Sequence, residues 1–248
     1  MNIHIVFENK YFLVIDKPAG LVVHPGAGNE KDTVVSWFLE KYPEANKLSW
    51  PDLTRQGIVH RLDKDTSGLM LVAKNPEVLI QLQELFQAHK INKTYLALVY
   101  GKLDQEKGEI NGFIGRNPHH RRKQTSQTIF FDFEPGKKRE AKTEYKVLKT
   151  FLFQKEYLSL VEATLQTGRM HQIRVHFKFI GDPVIGDQIY NIKPSRQISK
   201  VLNISHQFLH AYKLSFKFKN MEYNFKSSLP SELDIILHKL GEYDTVKL

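Results

Sequence analysis

The 248-residue chain carries 36 Lys and Arg against 27 Asp and Glu, a formal charge of +9, and has no cysteine. The missing thiol excludes disulfides, thiol catalysis and cysteine-held metal clusters, as in a reducing cytoplasm. The excess of cations makes a polyanion the expected partner, nucleic acid ahead of a membrane surface, because each neutralised phosphate releases condensed counterions.

With 41% hydrophobic residues the composition is ordinary for a globular protein, so a packed core needs no staple. The start, Met1 to Glu8, lacks a basic stretch followed by a long apolar one, and no apolar run approaches a membrane span. A cytoplasmic protein with no membrane contact is expected.

The runs Ile3 to Phe7 and Tyr11 to Ile15 predict paired strands around Asn9-Lys10. Asp32 or Thr33 caps a helix with Val34, Trp37 and Phe38 on one face, ended near Tyr42-Pro43. Asn75-Pro76 opens a second helix with Leu79, Leu82 and Phe86 on its buried stripe and Lys90 near its end. Tyr95 to Tyr100 alternates as a strand that Gly101 ends.

From about 108 to 142 the composition turns basic and turn-forming, with Arg116, Arg121, Arg122 and Lys123, then Pro135 to Arg139. An inserted basic hairpin or loop is expected, its ordinary alternative being a solvated charge run. His119 and His120 have no third ligand at usable spacing, so no metal is expected.

Beyond it, Thr143 to Leu148 and Leu158 to Leu165 read as strands, and Met170 to Phe179 as a helix entered through Gly168. Leu209 to Lys219 and Tyr223 to Phe225 return to strand. Ser231 with Asp234 caps a last helix with Leu233, Ile236, Leu237 and Leu240 on one face. Strands broken by isolated helices, without regular βαβ alternation, predict an α+β fold on a mixed, mainly antiparallel sheet, in a single domain over 1–248.

The most informative stretch is Gly57-Ile58-Val59-His60-Arg61-Leu62-Asp63-Lys64-Asp65-Thr66-Ser67-Gly68-Leu69-Met70. Ile58, Val59 and Leu62 belong inside, so Asp63 projects from a rigid apolar base, with Thr66 to Gly68 as a turn behind it. Such a carboxylate can act as nucleophile or base. The plainer alternative is a surface turn with a local ion pair and a capping Asp.

His60 to Leu69 resembles, without gaps, the His-Arg-Leu-Asp, two variable residues, Thr-Ser-Gly-Leu signature of the RluA family of pseudouridine synthases. Three further stretches in the same order are similar to that family's motifs. They are Asp16 to Leu21 with Val23-His24-Pro25, Lys93 to Val99 with Gly101, and Thr167 to His176 followed by Gly181, Pro183, Gly186, Asp187 and Tyr190. Within the family the likeness is to the RluD-like large-subunit branch, through Arg55 to Val59, Ile114 to Pro118 and Ala141 to Tyr145. Members of that branch commonly carry a small helical RNA-binding domain before the first motif; this chain starts almost at that motif, so the domain is expected to be lacking.

The resemblance implies a two-lobed sheet around a central active-site cleft, and isomerisation of uridine to pseudouridine in RNA as a monomer. The reaction formally needs no electron acceptor, nucleotide or metal, and no phosphate-binding glycine loop or dinucleotide fingerprint stands in the chain, so no cofactor is expected. The resemblance assigns the acidic role to Asp63, at the base or at ribose C1′. It assigns to Arg174 the cation that keeps the carboxylate ionised, and to Tyr95 stacking on the flipped base and late proton transfer. Arg61 would brace the gap left in the RNA, Arg169 and His171, near Arg174 but facing differently on the helix, would meet the RNA backbone, and Ile173 would close the uracil pocket. Arg116, Arg121, Arg122 and Lys123 would contact phosphates. Lys17, Pro18 and Gly20 would shape a wall below the site, and His60 and His176 would be packed or hydrogen-bonded.

Ribosomal RNA of the large subunit is the favoured substrate and transfer RNA the alternative. Two other classes compete. A glycosidase normally needs two carboxyls, and Asp65 stands too close to Asp63 to be a natural second one. A non-catalytic RNA-binding assembly factor would be betrayed by loss of Asp63, Tyr95 or Arg174, and all three are present.

Overall fold

The computed structural model describes residues 3–25, 31–116, 124–127 and 138–245. In chain order its elements are β1 (His4–Glu8), β2 (Phe12–Lys17), α1 (Val34–Lys41), a 3₁₀ turn (Pro43–Lys47), β3 (Ser67–Ala73), α2 (Pro76–Gln87), β4 (Ile91–Tyr100), β5 (Lys107–Arg116), β6 (Gln124–Gln127), β7 (Lys138–Phe153) and β8 (Glu156–Leu165). There follow α3 (Gln172–Phe179), α4 (Lys193–Val201), β9 (Leu209–Phe218), β10 (Met221–Lys226) and α5 (Ser231–Thr245). The chain divides into two compact units, Met1–Lys93 with Ala211–Ser228, and Thr94–His210 with Leu229–Leu248. The expected α+β class, built on mainly antiparallel sheet, is what is found.

In the first unit the strands lie in the order β1, β2, β3, β9, β10. Asn9 closes the first hairpin by accepting the Tyr11 and Phe12 N–H groups on its side-chain oxygen, an Asx turn. The two helices start where capping chemistry places them. Thr33 and Ser36 form a reciprocal capping box, and Asn75 accepts the Val78 N–H with Pro76 in the first helical position.

The strand that sequence pattern misses is β3. Thr66 to Gly68, expected as a turn behind Asp63, instead lead into a seven-residue strand buried at every position, which shows no alternation to read. Gly68 stands inside it at φ +113°, where a Cβ would meet the Ala211 backbone of β9 at 2.4 Å. The signature glycine therefore allows close strand approach.

In the second unit the order is β4, β8, β7, β5, β6, each neighbour antiparallel. The described part of the expected basic insertion is sheet: β5 and β7 pair from Lys107 opposite Lys146 to Gly115 opposite Lys138. Arg121, Arg122 and Lys123, with His119 and His120, lie outside the described residues. α5 lays Leu233, Ile236 and Leu240 into a core with Phe151, Phe153, Leu158 and Phe208, each such burial contributing about 1.5–3 kcal/mol. α4 was not anticipated. Its sequence is mostly polar, and it buries Ile198 together with two serines that bond backbone.

Candidate active-site residues

Asp63 stands in the first unit, in the turn between the bridge at Ile58 and the start of β3. Ile58 forms a β-bridge with Val72, and the Thr66 N–H returns to the Asp63 carbonyl at 3.2 Å. Leu62 and Thr66 are buried on either side, which leaves Asp63 half-buried between them. Two side chains tie this turn down.

His60 accepts the Leu71 N–H on Nε2 at 3.0 Å and stacks on Phe86 at 4.5 Å between ring centroids. Burial, helped by the charge of Lys93, pulls its imidazole down to about 3, so it is neutral and carries its proton on Nδ1. Lys17, at the end of β2 opposite Gly68, is fully buried. Its three ammonium protons go to the carbonyls of Pro18 (2.8 Å), Leu21 (2.9 Å) and Lys64 (2.9 Å). Burial lowers this ammonium to about 8, against the opposing pull of the Asp65 and Asp63 carboxylates. The wall expected at Lys17 is thus a clamp on the backbone next to Asp63.

Arg61 is exposed, and its Nη1 lies 3.2 Å from His24 Nε2. His24 Nδ1 lies 3.0 Å from the Pro25 carbonyl, which fits a neutral ring that donates from Nδ1 and accepts from Arg61.

Tyr95, Ile173 and Arg174 belong to the second unit. Tyr95 is buried on β4 opposite Ala163 of β8, and Ile173 is buried in the first turn of α3. Arg174 is 4% exposed and lays its Nε and Nη2 on the two carboxylate oxygens of Asp187, at 2.6 and 2.9 Å. This edge-on pair uses two of the five guanidinium donors. Asp187 Oδ1 also takes the N–H groups of Ile189 (2.8 Å) and Tyr190 (3.0 Å), so the ion pair is anchored to backbone. The Arg174 guanidinium sits 5.1 Å from the Tyr190 ring centroid.

The loop ahead of α3 hangs on Gln172. Its side-chain oxygen accepts from Thr167 Oγ1 and the Arg169 N–H, and its nitrogen donates to the Lys142 carbonyl and Thr143 Oγ1. Thr143 Oγ1 meets His176 Nδ1 as well, and burial holds His176 down to about 4. Arg169 and His171 do not stand on the helix that carries Arg174, because it begins only at Gln172. Arg169 instead donates Nε to the Glu140 carbonyl at 2.9 Å, and His171 caps α3 in the left-handed region at φ +58°, with Nδ1 2.9 Å from the Tyr190 hydroxyl. Arg116 ends β5 opposite Gln124.

Sequence reasoning passed over Gln172, Asp187 and Thr143 as working parts. Gln172 and Asp187 stand in the quoted motifs, but a Gln at a helix start and an Asp after a glycine read as surface residues, and nothing local shows their burial. Among the described residues no group of three His, Cys, Asp or Glu is placed to hold a metal ion, and no helix is long and apolar enough to cross a membrane.

Residues 11–179 match the family described as RNA pseudouridylate synthase. The chain belongs to this family. Ribosomal large subunit pseudouridine synthase D of Nitrosomonas europaea is 41% identical over 212 residues, covering 85% of this chain and 56% of that protein. The protein of the same name from Borreliella burgdorferi is 36% identical over 248 residues, covering 99% of this chain and 71% of that protein. The chain thus spans little more than half the length of the first relative and under three quarters of the second. The solved structure of human RNA pseudouridylate synthase domain containing 4 superposes with a TM-score of 0.75 at 25% identity, over 96% of this chain and 93% of that one.

Proposed function

We propose that the protein is an RNA pseudouridine synthase acting on uridine of large-subunit ribosomal RNA. The observation that carries this reading is the ungapped signature around Asp63, with its carboxylate in a turn held by His60, Lys17 and β3. The names of the large-subunit relatives support the choice of RNA.

The reaction breaks the bond from ribose C1′ to N1, turns the uracil and joins C1′ to C5. The C5 proton is lost and N1 gains one, so atoms balance without an oxidant or reductant. In this reading Asp63 attacks the flipped-out nucleotide, and Arg174 and Tyr95 complete the catalytic set. Extrusion of the base costs a few kcal/mol, which contacts to the RNA backbone from Arg61, Arg169, His171, Arg116 and the run Arg121 to Lys123 would offset. Ile173 lines the uracil side.

The test is to incubate the protein with large-subunit ribosomal RNA and with transfer RNAs, all transcribed in vitro and free of modification, and to map pseudouridine by carbodiimide-blocked primer extension. New stops in the ribosomal RNA alone are expected. Stops only in transfer RNA would move the substrate, and stops in neither would overturn the activity.

A further inference from the structure

Lys93, near the start of β4, has no part in the chemistry above. Its ammonium lies 4.9 Å from the centroid of Phe86, the ring that stacks on His60. Burial lowers it to about 8, and no carboxylate opposes that shift. Among the described residues no carboxylate pairs with it, and no carbonyl or hydroxyl accepts a proton from it.

Lys17 is the instructive contrast, more deeply buried than the half-buried Lys93 but matched by three carbonyls and the field of two carboxylates. A lysine stem is long enough to carry its head into water. One that keeps the head over an aromatic ring, desolvated and without a counter-charge, leaves a penalty that an incoming anion would remove. The Phe86 ring under Lys93 also stacks on His60, which holds the Asp63 turn, so the ammonium lies beside that turn within the first unit.

We propose that Lys93 binds a backbone phosphate of the RNA strand that carries the target uridine, supplying a point charge to a partner the protein itself does not provide. An ammonium suits this task better than base readout, since it offers three rotatable donors and no planar fork. The inference rests on the reading of the protein as an RNA-modifying enzyme.

The experiment compares wild type, Lys93→Met and Lys93→Arg for affinity to large-subunit ribosomal RNA over a series of salt concentrations, and for turnover at saturating RNA. Methionine keeps the stem and removes the charge. Its slope of log affinity against log salt should be shallower by about 0.7–0.9, with weaker binding, a higher KM and an unchanged kcat, and arginine should restore the slope. An unchanged slope in Lys93→Met would overturn the proposal and leave Lys93 a packing residue.

Should the methionine variant fail to fold, acylation of wild-type lysines read by mass spectrometry decides instead. Protection of Lys93 by RNA at low salt, lost at high salt, is expected; equal labelling with and without RNA overturns the proposal. The salt slopes need no turnover, so a protein that binds RNA but makes no pseudouridine would sink the enzymatic reading while still deciding Lys93. Failure of the wild type to bind RNA would sink both.

Discussion

The Asp63 turn and the Arg174 helix carry the two charges on which the proposed reaction depends, and they are braced by different means. Around Asp63 the bracing is almost all backbone: Lys17 gathers three carbonyls, and His60 accepts an N–H as a neutral ring. Around Arg174 it is ionic, a buried guanidinium locked edge-on to Asp187, whose Oδ1 takes two further N–H groups. The turn that carries the proposed reacting carboxylate is thus held through its main chain. A cation that must stay charged while buried is given a permanent counter-charge, because an arginine cannot shed its proton to escape desolvation.

Breaking the ionic side should do the most harm. Asp187→Ala removes the carboxylate that holds both Nε and Nη2 of the buried Arg174, and we expect a loss of about 3–5 kcal/mol in chemical denaturation. Lys17→Met removes three hydrogen bonds but also a desolvated charge, so a smaller loss of about 1–3 kcal/mol is expected, together with a fall in turnover as the Asp63 turn loosens. A Lys17→Met protein less stable than Asp187→Ala would reverse the comparison.

The neutral histidines sharpen it through pH. His60 and His176 sit near 3 and 4 when folded, against about 6.5 in an unfolded chain. The unfolded state therefore binds protons that the folded state refuses. Stability from these groups is complete above pH 6.5 and falls as the pH drops toward their folded values. Between pH 6.5 and 5, His60→Gln, which keeps an acceptor for the Leu71 N–H, should remove about half of that histidine-linked slope; an unaltered slope would mean that His60 titrates when folded. The smallest effect belongs to Arg169→Ala, with stability within about 0.5 kcal/mol of wild type and a salt slope for RNA binding reduced by about 0.7–0.9. If the slope stays put, Arg169 serves only to brace the Glu140 carbonyl.

Much of this molecule was legible before any coordinates. The hairpin around Asn9, the Thr33 and Asn75 caps and the α+β class follow from local chemistry, since each depends on residues within a few positions. β3 was not legible because a strand buried on both faces has no period, and α4 because its buried positions include serines that a hydrophobicity reading discards. At the site, Asp63 stood out through its apolar frame and signature. The supports of Asp63 and of Arg174 did not, because Lys17 meets Lys64 across 47 residues and Asp187 meets Arg174 across 13. Burial is what turns such charged residues from surface decoration into structure, and burial is a property of the fold.

The most direct test of the account is release of tritium from RNA labelled at uracil C5, measured for wild type and Asp63→Asn with folding and RNA affinity checked in parallel. We expect release by the wild type, and in the variant a rate lower by about 10⁴-fold or more with RNA binding and melting unchanged. Release by Asp63→Asn at the wild-type rate, or none from any RNA by the wild type, would contradict it.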